Sequence, residues 1–443
     1  MGRRRRRQKL PQEPREARVD SLSHDGRGVA RIDGKATFIH GALPGERVIF
    51  RYTGKRKNHD EGEVVEVLEA SEQRVTPACR YFGLCGGCSL QHLEAGAQIR
   101  YKEQTLMDAF AHIGKISPGR VLPPLTGSSA WGYRRKARLG VKHVLKKGKV
   151  LVGFRERSAS FIADMDSCEV LHPKIGHALA DLSSLIESLS ISTRVPQIEV
   201  AMDDERCVLI FRILEPLTDE DRNALLHFGS VRDFVIYVQD GGPDTVRPLG
   251  EAADLHYTLP DYGVELHFQP TDFTQVNSGI NRQMIRQALG LLELEKKDRV
   301  LDLFCGIGNF TLPMATKAGQ VTGVEGAEEL VARARDNASR NGLENVSFHV
   351  ANLYESLEQE PWLRQTYDKV LLDPPRSGAF EVLAHLPCMG AERIVYVSCY
   401  PGTLARDAAE LVNNLGYRLV SAGVMDMFPH TAHVESIALF EKT

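Results

Sequence analysis

Cys399 closes the apolar run Val395-Tyr-Val-Ser-Cys399 and is followed by Tyr400-Pro401. A thiol directly after a buried strand, at the edge where open α/β sheets hold their ligands, is placed to act as a nucleophile. Asp373 ends a second apolar run in Leu371-Leu-Asp-Pro-Pro-Arg376, and the two prolines stiffen the exit and leave few backbone donors. Glu435, in His433-Val-Glu-Ser436, lies in a polar insertion just before the last apolar run and offers a carboxylate base. Singly, a buried cysteine or a loop glutamate is more often structural. Together they point to covalent catalysis followed by removal of a proton.

A third segment, Val300-Leu-Asp-Leu-Phe-Cys-Gly-Ile-Gly-Asn-Phe310, runs a buried strand into Gly306 and Gly308 and then into a helix. The glycines let a ligand approach the backbone, and the helix N-terminus offers N–H groups to a carboxylate. The spacing is not G-x-G-x-x-G, which favours S-adenosylmethionine (SAM) over a dinucleotide. Glu325, about 20 residues on at the end of the next strand, can accept from both ribose hydroxyls. Cys305 beside the loop reads as packing. The cysteines Cys79, Cys85 and Cys88, spaced C-x5-C-x2-C, have metal-ligand spacing, with Cys168 or His92 as a fourth ligand. Zinc and an iron–sulfur cluster both fit that pattern. The C-x3-C-x2-C of radical-SAM enzymes is absent.

These residues need elements to hold them. Short β-like runs at 18–22, 29–32, 36–39, 47–53 and 62–67, separated by Gly- and Pro-containing turns, predict a small closed barrel of the OB type. A helix-like stretch follows at 95–113. Strands at 137–144, 150–155, 197–201, 207–213 and 231–238, with helices at 175–189 and 219–228, predict an α+β middle domain. From residue 275 onward a helix at 278–292 leads into apolar strands at 299–304, 320–324, 346–350, 369–372, 393–397 and 418–424. Near-continuous apolar strands alternating with helices indicate a doubly wound, Rossmann-like sheet covered on both faces. The expected division is a basic tail at 1–15, a barrel at 16–70, a middle domain at 71–265 and a catalytic domain at 266–443.

A chain of 443 residues supports two or three cores. The net charge of −3 divides into +9 over residues 1–60 (16 Lys or Arg against 7 Asp or Glu) and −12 over the rest. A basic arm that includes Arg3–Arg7 suggests a nucleic-acid partner or a solubilising tail. A second basic stretch, with Trp131, Tyr133, Arg134, Arg135, Lys136, Arg138, Lys142, Lys146, Lys147 and Lys149, suits base stacking and phosphate neutralisation. No apolar run is long enough to span a bilayer and no signal-peptide core follows the arginines, so the expected location is the cytoplasm. Eight cysteines without a secretory context argue against a disulfide framework.

A thiolate would be required if the carbon to be methylated were carbon 5 of uracil. Addition to carbon 6 places enolate character on carbon 5, which can then attack a sulfonium methyl. Leu303-Phe-Cys-Gly-Ile-Gly-Asn-Phe310, Asp373-Pro-Pro-Arg376, Val397-Ser-Cys-Tyr-Pro401 and Phe428-Pro-His-Thr-Ala-His-Val-Glu435 together resemble the RNA uracil-5-methyltransferase family. The resemblance implies a class I SAM methyltransferase domain with Cys399 as nucleophile and Glu435 as base. It implies SAM contacts from Gln275, Phe304, Asn309, Glu325, Asn352 and Asp373. Tyr400 stands where the family has asparagine, a departure that bears on a substrate contact. Cys79, Cys85, Cys88 and Cys168 are similar to the 4Fe–4S ligand set of one branch, and residues 16–68 resemble its TRAM domain. That branch methylates uracil 1939 of 23S rRNA, so the expected substrate is 23S rRNA, its uridine flipped or in a loop, and the expected enzyme a monomer. The same chemistry on another rRNA or tRNA uridine, or a non-catalytic RNA-binding assembly factor, are the alternatives.

Overall fold

The computed structural model describes residues 10–443 apart from Gln12 and Ser356, so the Arg3–Arg7 run lies outside the described residues. The chain divides into two compact units. The first takes residues up to Lys102 together with Arg155–Ser160 and Phe428–His433, and the second takes the remainder.

In the first unit six strands form one sheet in the order Arg15–Arg18, Arg47–Lys55, His59–Glu69, Lys35–His40, Gly28–Ile32, Ser21–Leu22. Ala17, Ala30, Ile39, Val48 and Phe50 pack into one core, so the sheet curls around it. Its end strands are not paired with each other among the described residues, and the last has only two residues. The single strand expected at 18–22 is two strands. At Val19 the backbone N–H donates to Glu46 O (2.9 Å), and at Asp20 it donates to Val29 O (2.8 Å), so the chain changes partners between them. The helix Ala95–Ala109, of which only the residues up to Lys102 belong to this unit, continues into a π-turn, Phe110–Gly114.

In the second unit a six-stranded sheet orders Arg247–Pro248, Val235–Gln239, Cys207–Arg212, Gln197–Met202, Lys136–Val144 and Lys149–Gly153. The strand expected at 231–238 begins later. The helix Asp219–Arg232 runs through exposed Val231 and stops only where Asp233 turns left-handed at φ 56°. The apolar pattern there is shared by a helix end and a strand start, and periodicity does not divide them.

The catalytic sheet contains β1 (Arg299–Leu303), β2 (Gln320–Glu325), β3 (Val346–Val350), β4 (Lys369–Leu372), β5 (Arg393–Ser398), β6 (Tyr417–Met425) and β7 (Glu435–Lys442). Its order is β3-β2-β1-β4-β5-β7-β6, with the short strand Arg120–Val121 on the β6 edge. Pairing is parallel from β3 to β5, and β7 runs antiparallel to both β5 and β6. Because β1 pairs on one side with β2 and on the other with β4, the strand order reverses there, and the crevice at the strand C-termini is where ligands bind. Among the described residues no helix is long and apolar enough to cross a membrane.

Candidate active site

Three strand ends stand side by side. The N–H of Phe304 and that of Cys305 both donate to Val324 O, at 2.9 and 3.1 Å, and Asp373 N–H reaches Leu303 O at 3.3 Å. Phe304, Glu325 and Asp373 are thereby fixed at one level. Phe304 sits at φ 66°, a conformation costing a non-glycine residue on the order of 1 kcal/mol or more, and Gly306 and Gly308 follow at 55° and 96°. A Cβ at Gly306 would meet nothing within 4 Å, so the loop leaves open room against its backbone. The Glu325 carboxylate accepts from the N–H groups of Gly306 (3.1 Å), Gly326 (2.7 Å) and Ala327 (3.2 Å). It is thus held facing the glycine turn, where a ribose would lie, and the donor set fits SAM.

Asn309 is oriented from outside the loop. Its side chain pairs reciprocally with the Asn281 amide, both bonds at 3.0 Å, and its Oδ1 also accepts from Tyr257 OH at 2.8 Å. Asn281 belongs to the buried stripe of the helix Ser278–Leu292, with Ile280, Met284, Ile285 and Ala288. A polar residue in an apolar stripe is a signal readable in the sequence, although its partner is not. Tyr257 carried no such signal. Phe304 stacks obliquely on Tyr354 (centroids 5.8 Å apart), whose hydroxyl meets Ser377 Oγ at 2.7 Å. Asn352 turns toward Glu355, donating at 2.8 Å, and accepts from Tyr354 N–H at 3.2 Å. Gln275 is half-buried in the segment before that helix, beside the exposed Phe273.

The register places the nucleophile and base candidates. β5 and β7 pair Ser398 with Ser436, and the Ser436 hydroxyl donates to Ser398 O at 3.2 Å. Just past this last pair the chain bends at Cys399, and the Glu435 carboxylate is close enough for its charge to act on the thiol. Glu435 is the first residue of β7 rather than part of a polar insertion, and it is buried. Burial, reinforced by the charges of Glu435 and Asp373 and opposed by Arg376, pushes the half-buried Cys399 thiol up to about 11. Burial likewise lifts Asp373 to about 7. The resting site therefore holds a neutral thiol. Alkylation of Cys399 by iodoacetamide, followed by peptide mass spectrometry, should accelerate about tenfold per pH unit from pH 7 to 10 without a plateau. A flat profile over that range would show a preformed thiolate instead.

A further organising residue is Asp407, fully buried on the helix Pro401–Asn413. Its carboxylate accepts from Tyr396 OH (2.6 Å), Ala379 N–H (2.8 Å) and Arg406 Nε (2.7 Å), which fixes the turn after Asp373-Pro-Pro-Arg376. The Arg376 guanidinium lies 5.9 Å from the Tyr400 ring centroid. Tyr400 is the N-cap of the same helix and makes no side-chain cap.

Cys79, Cys85 and Cys88 lie in the first unit and Cys168 in the second, and none of the four is in a disulfide. The Cys79–Cys88 stretch is a series of tight turns, with Phe82 N–H donating to Cys79 O (3.0 Å) and Cys85 N–H to Tyr81 O (2.9 Å). Gly87 N–H donates to Cys85 Sγ at 3.4 Å, the kind of bond that supports a cluster-ligating sulfur. His92, considered above as a ligand, is buried, and its charged form is disfavoured by that burial. In the basic stretch Lys136 turns inward, donating to the carbonyls of Pro270 and Asp272, and Arg138 pairs with Glu199. Lys147 and Lys149 share Asp164, whereas the Lys142 and Lys146 side chains are exposed. Lys136 is therefore a structural cation and not a phosphate contact.

The family model for tRNA (Uracil-5-)-methyltransferase matches residues 255–443, and that for the TRAM domain matches residues 10–50. A curated relative from Alkalilimnicola ehrlichii, named 23S rRNA (uracil(1939)-C(5))-methyltransferase RlmD, is 56% identical over 100% of this chain and 99% of its own. A relative of the same name from Methylococcus capsulatus is 54% identical over the full length of both chains. The crystal structure of a Pyrococcus abyssi tRNA (uracil-54, C5)-methyltransferase in complex with S-adenosyl-L-homocysteine matches with a TM-score of 0.75 at 25% identity. It covers 96% of this chain and 100% of that chain.

Proposed function

The chain belongs to the RNA uracil-5-methyltransferase family and is a SAM-dependent enzyme, and from that premise we propose that it methylates carbon 5 of uridine 1939 in 23S rRNA through a covalent Cys399 adduct. The observation that carries the mechanism is that Cys399, just past the end of β5, has the carboxylates of Glu435, the first residue of β7, and Asp373 near enough to act on its thiol.

SAM supplies an electrophilic methyl group on its sulfonium. Glu325, Asn309, Phe304, Gln275, Asn352 and Asp373 are the residues assigned to hold it, with the glycine turn as its cradle. The Cys399 thiolate adds to carbon 6 of the uracil, and the electron pair displaced toward carbon 5 forms the new bond to the methyl carbon as that carbon's bond to the sulfonium sulfur breaks, its electron pair staying on the sulfur of the departing S-adenosyl-L-homocysteine. Glu435 then takes the proton from carbon 5. The returning pair expels the thiolate and leaves 5-methyluracil. With a neutral thiol at rest, Cys399 must pass its proton to water as RNA arrives. The Arg376 guanidinium favours the thiolate and supports that step. Carbons 5 and 6 are inaccessible in a stacked base, so the target uridine enters flipped or from a loop.

Cys79, Cys85, Cys88 and Cys168 would hold a 4Fe–4S cluster with a structural role, since methyl transfer needs no electron. The labour is divided along the chain: RNA binding by residues 16–70, the cluster by 71–265 and methyl transfer by 266–443, in a cytoplasmic monomer. Incubation with methyl-labelled SAM and a 23S rRNA fragment spanning position 1939 should place the label in 5-methyluridine at that position alone. Label at a different uridine would overturn the assignment of the substrate, and no label from folded, SAM-binding protein would overturn the activity on 23S rRNA.

A further inference from the structure

In the second unit the strands Leu255–Leu259 and Val264–Phe268 form a two-stranded hairpin in which His256 and His267 are directly opposite. The two rings lie 5.2 Å apart, tilted by 30°. Asp254, just before the first strand, and Glu265, on the same face as His267, complete a group of four. His267 Nδ1 is 2.8 Å from Asp254 Oδ1, and its Nε2 is 2.7 Å from Glu265 Oε1. Glu265 also faces the second ring, with Oε2 3.8 Å from His256 Nε2. The remaining imidazole nitrogen, His256 Nδ1, is buried and has no hydrogen-bond partner. One ligand atom each from Asp254, His256 and His267 lies within 4.8 Å of the others.

From this juxtaposition we infer that Asp254, His256 and His267 bind a divalent cation of the zinc class, with Glu265 as the carboxylate that orients both rings. Two imidazoles and one carboxylate are a ligand set that zinc accepts, leaving a fourth position for water. A ligating histidine commonly donates its other ring N–H to a carboxylate, and Glu265 Oε1 stands at that place for His267. With both Nε2 atoms directed to Glu265, the Nδ1 atoms are left for the cation. The orphaned Nδ1 of His256 thereby acquires a partner.

The backbone under the ligands is already rigid. Asn337 accepts from His267 N–H (2.9 Å) and donates to His267 O (3.0 Å), and Asn341 does the same to the backbone of Glu265 (2.8 and 2.7 Å). Both asparagines are on or at the end of the helix Glu328–Arg340. On the Asp254 side, Arg206 donates to Asp254 O at 3.0 Å and His256 N–H to Asp203 at 3.3 Å. Little reorganisation is needed for the cation to enter. Its consequence is local: Tyr257, between the histidine ligand and Thr258, is the residue whose hydroxyl fixes Asn309. A metal clip across the hairpin would hold that tyrosine in place.

The test is calorimetric titration of the intact holoprotein with zinc chloride, beside His267→Gln and Asp254→Asn. The wild-type protein should take up one more equivalent of zinc than His267→Gln. Asp254 is exposed and its substitution leaves the fold intact, so Asp254→Asn should retain the equivalent with markedly weaker affinity. Glu265→Gln should weaken it by about 10–100-fold, the usual effect of removing such a supporting carboxylate. Any zinc taken by the cysteines is common to all four proteins and cancels in the comparison. Equal zinc stoichiometry and affinity in the wild-type and His267→Gln proteins would overturn the site and leave the group as an ion-pair network.

Discussion

Cys399→Ala should eliminate methyl transfer to 23S rRNA, a loss on the order of 10⁶-fold, the scale on which a covalent nucleophile is missed. The reason lies in the substrate: uracil carbon 5 does not attack SAM unless a nucleophile has first added to carbon 6. RNA carrying 5-fluorouridine provides the direct readout, because fluorine at carbon 5 leaves no proton for a base to remove. Wild-type protein with SAM should form a covalent protein–RNA species that resists denaturing electrophoresis, and Cys399→Ala should form none. SAM affinity should be unchanged in the variant, since none of the hydrogen bonds that fix Glu325 and Asn309 involves the thiol. An adduct that persists without Cys399 would refute the assignment, with Cys305 and the other thiols then to be considered. Cys305 is a poor substitute, because burial raises its thiol far above the ordinary range.

Glu435→Gln should leave the first half of the reaction and stop the second. Adduct formation and methylation need Cys399 and the bound methyl donor. Elimination needs the carbon 5 proton removed, a step for which a positioned base contributes about 10²–10⁴-fold. Methylated RNA should therefore stay attached to the variant, visible as a covalent band with unmodified RNA and SAM. Free product at the wild-type rate would contradict the role of Glu435. The isosteric amide keeps the volume of a buried side chain at the first position of β7, so the ladder from Glu435 to Lys442 is retained.

The catalytic sheet was legible in sequence because its strands are buried on both faces, and buried strands read as apolar runs. The expected strand at 369–372 has the observed bounds, and that at 346–350 does too. Glu435 illustrates the limit. It is polar and follows a polar segment, so pattern alone places it in an insertion, and only its pairing with Met425 in the folded sheet reveals it as a strand residue. Asn281 and Asp407 are buried polar residues inside apolar stripes, anomalies that can be seen in the sequence but whose partners (Asn309, and Ala379 with Tyr396) are set by tertiary packing. Lys136 was misread for a related reason. It has the spacing of an outward cation on an alternating strand, yet its amino group is satisfied by carbonyls more than a hundred residues away. The hairpin that pairs His256 with His267 was not read at all, because its strands alternate polar and apolar residues only briefly between loops.

The composition of the first unit also governs how the chain is made. Its sheet, from Arg15 to Glu69 with a core drawn from Ala17 to Tyr52, is contiguous in sequence and can form as soon as that stretch is free. The unit is completed only by Phe428–His433 near the other end of the chain. Ser89 and Leu90 N–H both donate to His430 O at 2.9 Å, Gln98 accepts from His430 N–H at 2.9 Å, and Lys102 Nζ reaches Phe428 O at 2.9 Å. At roughly 5–20 residues per second, translation leaves these donors waiting on the order of half a minute for their acceptors. Until then the buried ammonium of Lys102 lacks its Phe428 carbonyl and the helix Ala95–Ala109 lacks part of its cover. A nascent chain stalled before residue 428 is thus a partly open species with a finished barrel-like sheet and an unfinished seam, the kind of intermediate on which chaperones act. A C-terminal deletion would be felt first at the N-terminal end of the protein.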